Sequence, residues 1–350
     1  MLGTAGILQL IMPFLDHLHK VCARKGLSRD EARDAMSLIL NGEVSTALIA
    51  AFLAACKVLG DGVDEVTGFA EAMRANVLEV EKPAGVPVLD TCGTGGDGLS
   101  TFNISTAVAL VVAGCGVAVA KHGNRAFSSH TGSADVLERL GVKIDLSAKQ
   151  MSECLKKAGI AFLYAPNVHP AMRHASEARR EMKMRTVFNM LGPLSNPAHA
   201  EHQLIGAPNF EAARIMAQAL SLLGTKKSVV VHGEDGLDEV TTTARTMVYD
   251  VVNGSLTRRA IKPSDFGVPT ATIDELFVEG PDQSAHAILS SLDAIPSAKL
   301  DIVLVNAAMA LYAVEAVESL KDGMSKAFSA VSSGAAKEKL ETLKRVSHEV

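Results

Sequence analysis

Three stretches of this 350-residue sequence carry residue types suited to phosphate chemistry. The first is Thr91-Cys92-Gly93-Thr94-Gly95-Gly96-Asp97-Gly98. Glycines let the main chain approach an anion closely and turn several N–H groups toward it. Asn103-Ile104-Ser105-Thr106 then opens a helix, whose N-terminal end favours negative charge. The second stretch, Lys121-His122-Gly123-Asn124-Arg125-Ala126-Phe127-Ser128-Ser129, adds two permanent cations and two hydroxyls, and Gly132-Ser133 opens another helix just beyond. Between residues 98 and 134 the charged side chains are Lys121 and Arg125 alone, a local excess of cation in an acidic chain. His122 is the nearest candidate proton acceptor, and an orienting role suits it better. The third stretch, Asp238-Glu239, is either solvated surface or a ligand pair for a hard cation such as Mg²⁺, which also binds phosphate oxygens.

Two common phosphate motifs fail on these residues. Gly93, Gly95 and Gly98 match the dinucleotide fingerprint in form, but that fingerprint wants an acidic residue about 20 positions on to hold a ribose hydroxyl. No Asp or Glu stands between Asp97 and Asp135. No Gly-Lys-Ser/Thr follows the glycines either, so a P-loop is excluded. A multiply phosphorylated small molecule fits the interleaved glycines, hydroxyls and cations.

These residues need a scaffold that brings strand ends together. Val86 to Asp90 reads as a strand leading into the glycine loop, and Ile104 to Ala113 as the helix after it. Val117 to Ala120 is a second strand, followed by helix Ala134 to Leu140 and strand Val142 to Ile144. Ser228 to Val231 and Asp301 to Val305 are continuous apolar runs, expected to be buried parallel strands. Glu177 to Met190 reads as a charged helix stopped at Leu191-Gly192-Pro193. The alternation predicts an α/β domain over 84–350, with a mostly parallel sheet flanked by helices.

Residues 1–83 show only helical patterns and form a small all-helical domain, onto which the helix at 176–191 is expected to pack. Ser28-Arg29-Asp30-Glu31 is a capping box, and helices over Ala47 to Val58 and Asp61 to Val77 follow. Lys82-Pro83-Ala84-Gly85 joins the two domains and is expected to act as a hinge. Two domains agree with a typical ~150 residues each.

Composition removes several classes of function. The 34 Lys and Arg residues against 39 Asp and Glu leave a net charge of −5, and aromatics are 4% with no Trp. Nucleic-acid and anionic-membrane binders need basic footprints or stacking platforms, so neither partner is expected. Cys22, Cys56, Cys92, Cys115 and Cys154 are scattered and lack a C-x-x-C spacing, which fits a reducing, cytoplasmic setting. The apolar run Ala107 to Ala120 is 14 residues long and interrupted by Gly114 and Gly116. A membrane span needs about 20.

Taken in order, Gly93 to Asp97, Asn103 to Thr106, Lys121 to Arg125, Gly132 to Asp135, Arg185 to Asn189 with Leu191 to Leu194, and Asp238-Glu239 resemble the anthranilate phosphoribosyltransferases. The resemblance extends through Asn41 to Val44, Ile49 to Leu53 and Asn306 to Ala308, so it spans nearly the whole chain. It implies transfer of the phosphoribosyl group of 5-phosphoribosyl diphosphate (PRPP) to the amine of anthranilate. The products would be N-(5-phosphoribosyl)anthranilate and diphosphate, in tryptophan biosynthesis.

By position, Gly93, Gly96, Asp97, Thr101, Asn103, Ile104, Ser105, Thr106, Lys121 through Ser129 and Ser133 would contact PRPP. Ser105, Asp238 and Glu239 would hold two Mg²⁺ ions. Gly93, Asn124 and Arg179 would contact anthranilate, Arg179 through a bidentate pair with its carboxylate. Read from the residues alone, Arg173, Arg179 and Arg180 are interchangeable candidates, and the resemblance selects Arg179. Ala126-Phe127, His130 and Met182-Lys183-Met184 depart from the family pattern, and none removes a residue assigned to metal or diphosphate. The family implies a homodimer joined through the helical domains, with Ile7 to Leu18 and Ala47 to Val58 as the apolar faces. The alternatives are a pyrimidine nucleoside phosphorylase and a non-enzymatic nucleic-acid-binding relative. The first has no need of Asp238-Glu239 or Arg179, and the second would carry a basic surface.

Overall fold

The computed structural model describes residues 4–95, 98–126 and 131–350, with side chains from residue 12 onward. Helices come first: α1 (Thr4–Cys22), α2 (Arg29–Leu40), α3 (Thr46–Leu59) and α4 (Val63–Ala75). The Ser28 capping box forms, with Glu31 N donating to Ser28 Oγ at 3.3 Å and Ser28 N donating to Glu31 Oε2 at 2.8 Å. Strand–helix alternation then runs β1 (Val88–Gly93), α5 (Ile104–Gly114), β2 (Ala118–Gly123), α6 (Ser133–Arg139), α7 (Ala148–Ala158) and β3 (Ile160–Tyr164). Short helices α8 (Ala165–Val168), α9 (Arg173–Met182) and α10 (Phe188–Leu194) precede β4 (His202–Gly206), α11 (Phe210–Leu222) and β5 (Lys227–Gly233). The hairpin β6 (Thr246–Val252) and β7 (Ser255–Ile261) is followed by α12 (Pro281–Leu292), α13 (Ala298–Ala313), α14 (Leu320–Ser332) and α15 (Ala335–Glu349).

The sheet order is β3-β2-β1-β4-β5-β6-β7. The five strands from β3 to β5 are parallel, and β6 and β7 run antiparallel. The expected α/β class with a mostly parallel sheet is therefore what forms. Alternate residues serve opposite faces, as the period of two requires. Leu204, Val229 and Val231 enter a core shared with α5, α13 and α15, while Ile205 and Val230 enter one shared with α11 and the N-terminal helices. On that second side α9 contributes Ala175 and Ala178, and α10 contributes Leu191 and Leu194, to the same cluster as Ile49, Phe52 and Phe69.

Three expected elements differ. Asp301 to Val305 is not a strand but lies inside α13. A helix apolar all round is buried on every side, and a short stretch of it has no period that separates it from a buried strand. Val142 to Ile144 is also no strand. Val142, Ile144 and Leu146 are buried alternately, yet Lys143 N donates to Ser347 Oγ of α15 rather than to a ladder, and β3 takes the sheet edge. The single helix over Glu177 to Met190 is broken, because Lys183 turns left-handed (φ 48°) and ends α9.

The stretch expected to hinge is braced at its N-terminal side. Leu78 N donates to Val168 O at 2.8 Å, Ser152 Oγ to Glu81 O at 2.6 Å, and Lys82 pairs with Glu201. With one hydrophobic cluster running from the N-terminal helices onto the sheet face, closure about Lys82 to Gly85 would have to shear a packed core.

Candidate active site

The chain runs outward from β1 through β2 to β3, then returns to place β4 on the other side of β1. Open α/β sheets bind ligands at such a switch point, beyond the carboxyl ends of the strands. Here those ends are two glycines side by side, since Gly93 of β1 pairs in register with Gly206 of β4. A Cβ on Gly206 would lie 1.5 Å from the carbonyl oxygen of Asp238, and a Cβ on Gly93 would lie 2.5 Å from Asp238 Oδ2. The loop after β5 thus seats Asp238 in a notch that only glycine leaves open. Gly95 N donates to Asp238 Oδ2 at 2.8 Å, and Arg185 Nη1 donates to Gly95 O at 2.7 Å. The loop is tightened from within: Asp235 Oδ2 accepts from Thr241 Oγ1 at 2.6 Å and from Thr243 Oγ1.

Asp238, Glu239 and Ser105 line a cleft of about 720 Å³ together with Lys121. Lys121 is buried, and its Nζ donates to Thr91 O at 2.6 Å and to Ser105 Oγ at 3.0 Å. Burial pushes its pKa down, opposed by the charges of Asp90, Glu239 and Asp238. The Cys92 thiol, beside it, is held well above its ordinary range by burial, which leaves it a packing group rather than a nucleophile.

His122 follows on the same strand. Its N–H donates to Asp90 Oδ1 at 3.0 Å, and its Nδ1 lies 3.1 Å from Gly192 O. A carbonyl only accepts, so Nδ1 carries the proton and Nε2 the lone pair. That Nε2 is buried without a hydrogen-bond partner, and the ring lies 4.9 Å from that of His169, whose Nε2 is likewise unpartnered. Burial lowers the pKa of both rings, that of His169 from 6.5 to about 3. Unfolded His169 takes up a proton below its ordinary 6.5 while the folded ring waits until about 3. Stability therefore rises with pH between those values and is level above them. Urea melts should show a loss of about 1.4 kcal/mol per pH unit from this ring on acidifying below about 6.5. His122, lowered in the same direction, adds to the slope, so His169→Gln should reduce it by about 1.4 kcal/mol per pH unit, and an unchanged slope would reject this assignment.

Other expected contacts fall into place unevenly. Gly93, Thr101, Asn103, Ile104, Ser105, Lys121, His122, Gly123, Asn124, Arg125, Ala126, Ser133, Arg179, Asp238 and Glu239 all line the cleft. Thr106 does not. The next residue on an α-helix is turned by about 100° from Ser105, and Thr106 instead lines a small void with Leu110 and Leu137 in the core. Gly96, Asp97, Phe127, Ser128 and Ser129 lie outside the described residues. Asn103 is committed to the scaffold: its Oδ1 accepts from Ser284 Oγ at 2.8 Å and its Nδ2 donates to Thr131 O at 3.2 Å. Arg125 pairs with Asp135 at 2.9 Å and Glu138 at 2.6 Å of α6, which raises its pKa.

Arg179, on α9, also lines the cleft, with its guanidinium carbon 5.1 Å from the centre of the Phe188 ring. Burial lowers its pKa. Arg173 also lines the cleft but is exposed, whereas Arg180 is exposed and outside it. The same wall contains His169, Pro170, Met172 and Ser176, none of them anticipated from the sequence. Their signal lay in β3: they follow the carboxyl end of a strand that had not been recognised.

Two adjacent carboxylates and a hydroxyl are hard oxygen donors, and among the described residues no cluster of three His, Cys, Asp or Glu side chains forms a cage. That donor set fits Mg²⁺ held jointly with substrate phosphates, which is how this ion is commonly bound.

Comparisons with known proteins agree with the two-part fold. The sequence model described as "Glycosyl transferase family, helical bundle domain" matches residues 15–77, and that described as "Glycosyl transferase family, a/b domain" matches residues 85–337. The anthranilate phosphoribosyltransferase of Solibacter usitatus is 48% identical over 335 residues, 95% of this chain and 98% of its own. The crystal structure of the Thermus thermophilus anthranilate phosphoribosyltransferase is similar with a TM-score of 0.89 at 38% identity, covering 95% of this chain and 99% of that one. The Saccharomyces cerevisiae enzyme in complex with PRPP and Mg gives 0.88 at 27% identity, over 96% and 98% of the two chains. Nearly half its residues shared with one relative along almost the full length of both, and one fold shared with two solved members, place this chain in the anthranilate phosphoribosyltransferase family.

Proposed function

We propose that this cleft transfers the phosphoribosyl group of PRPP to the amine of anthranilate, giving N-(5-phosphoribosyl)anthranilate and diphosphate. The observation that carries the reading is the lining of one cleft, which holds Asp238, Glu239, Ser105 and Lys121 and, from α9, Arg179. The first group suits a diphosphate with its cation, the second a small aromatic carboxylate. In the reaction a C1–N bond forms, the C1–O bond to diphosphate breaks with its electron pair leaving on oxygen, and the amine passes its proton to the released diphosphate or to water. Positive charge develops on the ribose and negative charge on the leaving group, so positioning and charge stabilisation are the principal terms. Asp238, Glu239 and Ser105 would hold two Mg²⁺ ions, which when bound neutralise the departing diphosphate. Lys121 and the amides of the glycine loop would face its oxygens. An aromatic amine attacks as the neutral form, so no strong base is required. His122 Nε2 is covered by its neighbours while Nδ1 is fixed on Gly192 O, which favours an orienting role for this ring.

Gly93, Asn124 and Arg179 would receive anthranilate. The proposal includes a helical unit over 1–83, completed by α9 and α10, and an α/β unit over 84–350. It also includes a cytoplasmic homodimer joined through α1 and α3, on which Met12 is 50% and Val58 80% exposed. Tryptophan biosynthesis is the corresponding pathway.

The test is the decay of anthranilate fluorescence with PRPP, with and without Mg²⁺. Decay that depends on Mg²⁺ supports the reading. No decay with active PRPP overturns it and directs attention to phosphorolysis of thymidine and uridine. Within the same assay Arg179→Ala should raise the anthranilate KM about 10- to 100-fold, the worth of a charged hydrogen-bonded pair, and leave the PRPP KM nearly unchanged. The reverse ordering would remove Arg179 from the acceptor site.

A further inference from the structure

Between Ile302 and Leu311 of α13 every side chain but one is apolar, and the exception, Asn306, is 0% exposed. A primary amide in such surroundings is costly unless its hydrogen bonds are made. They are made to a single loop residue and to its own helix. Val240 N donates to Asn306 Oδ1 at 2.8 Å, and Asn306 Nδ2 donates to Val240 O at 2.8 Å and to Ile302 O at 2.9 Å. The amide thus engages both main-chain groups of one residue, as a neighbouring strand would, and that residue follows directly on Asp238-Glu239.

Asp238 is pressed from the sheet side against Gly93 and Gly206, and Val240 is gripped from the helix side by Asn306. The two carboxylates stand between these fixed points. We infer that Asn306 is a positioning residue that sets the direction of Asp238 and Glu239 toward a divalent cation in the cleft. The inference rests on the metal-assisted reading proposed above. Outer residues that orient ligands typically change metal affinity by about 10- to 100-fold when removed.

The experiment measures Mn²⁺ binding to the full-length protein in the presence of PRPP, by the loss of the free-ion electron paramagnetic resonance signal. It is run on the unsubstituted chain, Asn306→Ala and Asp238→Ala. Asn306→Ala should bind Mn²⁺ at least ~10-fold more weakly and need correspondingly more Mg²⁺ for half-maximal turnover, with the anthranilate KM unchanged. Unaltered Mn²⁺ affinity overturns the inference. So does a parallel loss of Mn²⁺, PRPP and anthranilate affinity that tracks a lowered melting temperature, because a purely structural role produces that. Retention of full Mn²⁺ affinity by Asp238→Ala is a different failure, of the metal reading itself. Hydrogen exchange on the unsubstituted chain covers the case in which Asn306→Ala does not fold. The Val240 amide should be as protected as the centre of α13 without metal or PRPP, and exchange at the rate of an exposed loop overturns the clamp.

Discussion

Asp238→Ala is expected to lower kcat/KM by about 1,000-fold, the scale of a lost metal contact worth several kcal/mol. Asp238 is 9% exposed, so little solvent stands ready to replace it, and its Oδ2 is already aligned by Gly95 N at 2.8 Å. The loss should appear as a raised requirement for Mg²⁺ and PRPP, with the anthranilate KM little changed. Asp238→Asn separates charge from shape, because an amide oxygen still accepts from Gly95 N but brings no negative charge to a cation. It should fall nearly as far as the alanine variant. Steady-state kinetics over a Mg²⁺ series decide the matter, and a variant with ordinary turnover and ordinary Mg²⁺ dependence refutes the role.

A single methyl group placed some way from any substrate should do comparable damage. Gly206→Ala would put Cβ 1.5 Å from Asp238 O and 2.4 Å from its carbonyl carbon, distances that no side-chain adjustment relieves. Gly206 is not among the residues of positive φ, so the penalty is steric alone. Either β4 or the Asp238 loop must move. We expect a fall in kcat/KM of about 100-fold or more, since a 1 Å misplacement of a reacting constellation costs about that much. Overpacking at a buried strand end should also cost about 1–3 kcal/mol of stability. Gly224→Ala is the matched control: its φ is +78°, with open space around the added methyl, so it should lose about 1 kcal/mol and keep full activity. Thermal melts and kinetics on both variants test the contrast, and an active Gly206→Ala would show that Asp238 tolerates displacement.

What the sequence disclosed and what it hid divide along physical lines. Local signals were dependable: the Ser28–Glu31 spacing makes its capping box, and Lys121, His122 and Gly123 do end a parallel strand beside the glycine loop. Residues that bring charge or an obligatory glycine to a strand end can be read in one dimension. Features set by tertiary neighbours could not. Asp301 to Val305 and Ile160 to Tyr164 are both short apolar runs, one a helix segment and the other a strand, and composition alone does not part them. Missing β3 hid His169, Met172 and Ser176, which line the cleft without any charged or glycine-rich signature. Thr106 sits inside a motif yet faces the core, because a motif does not state which face of the helix each member occupies. Gly206 and Asn306 act on residues more than thirty and sixty positions away, contacts that no spacing rule anticipates.

The second hydrophobic cluster carries a consequence for how the chain is made. Ile49, Phe52 and Phe69 share it with Ala175 and Ala178 of α9, Leu191 and Leu194 of α10, and Met216 and Leu220 of α11. α4 ends at Ala75 and α9 begins at Arg173, so a ribosome must add close to a hundred residues before the first of these partners emerges. At a typical ~5–20 residues per second, that interval lasts about 5–20 s. Throughout it the nascent N-terminal helices present an uncovered apolar face to the cell. The first helices synthesised therefore wait for partners from the middle of the chain before that face is covered.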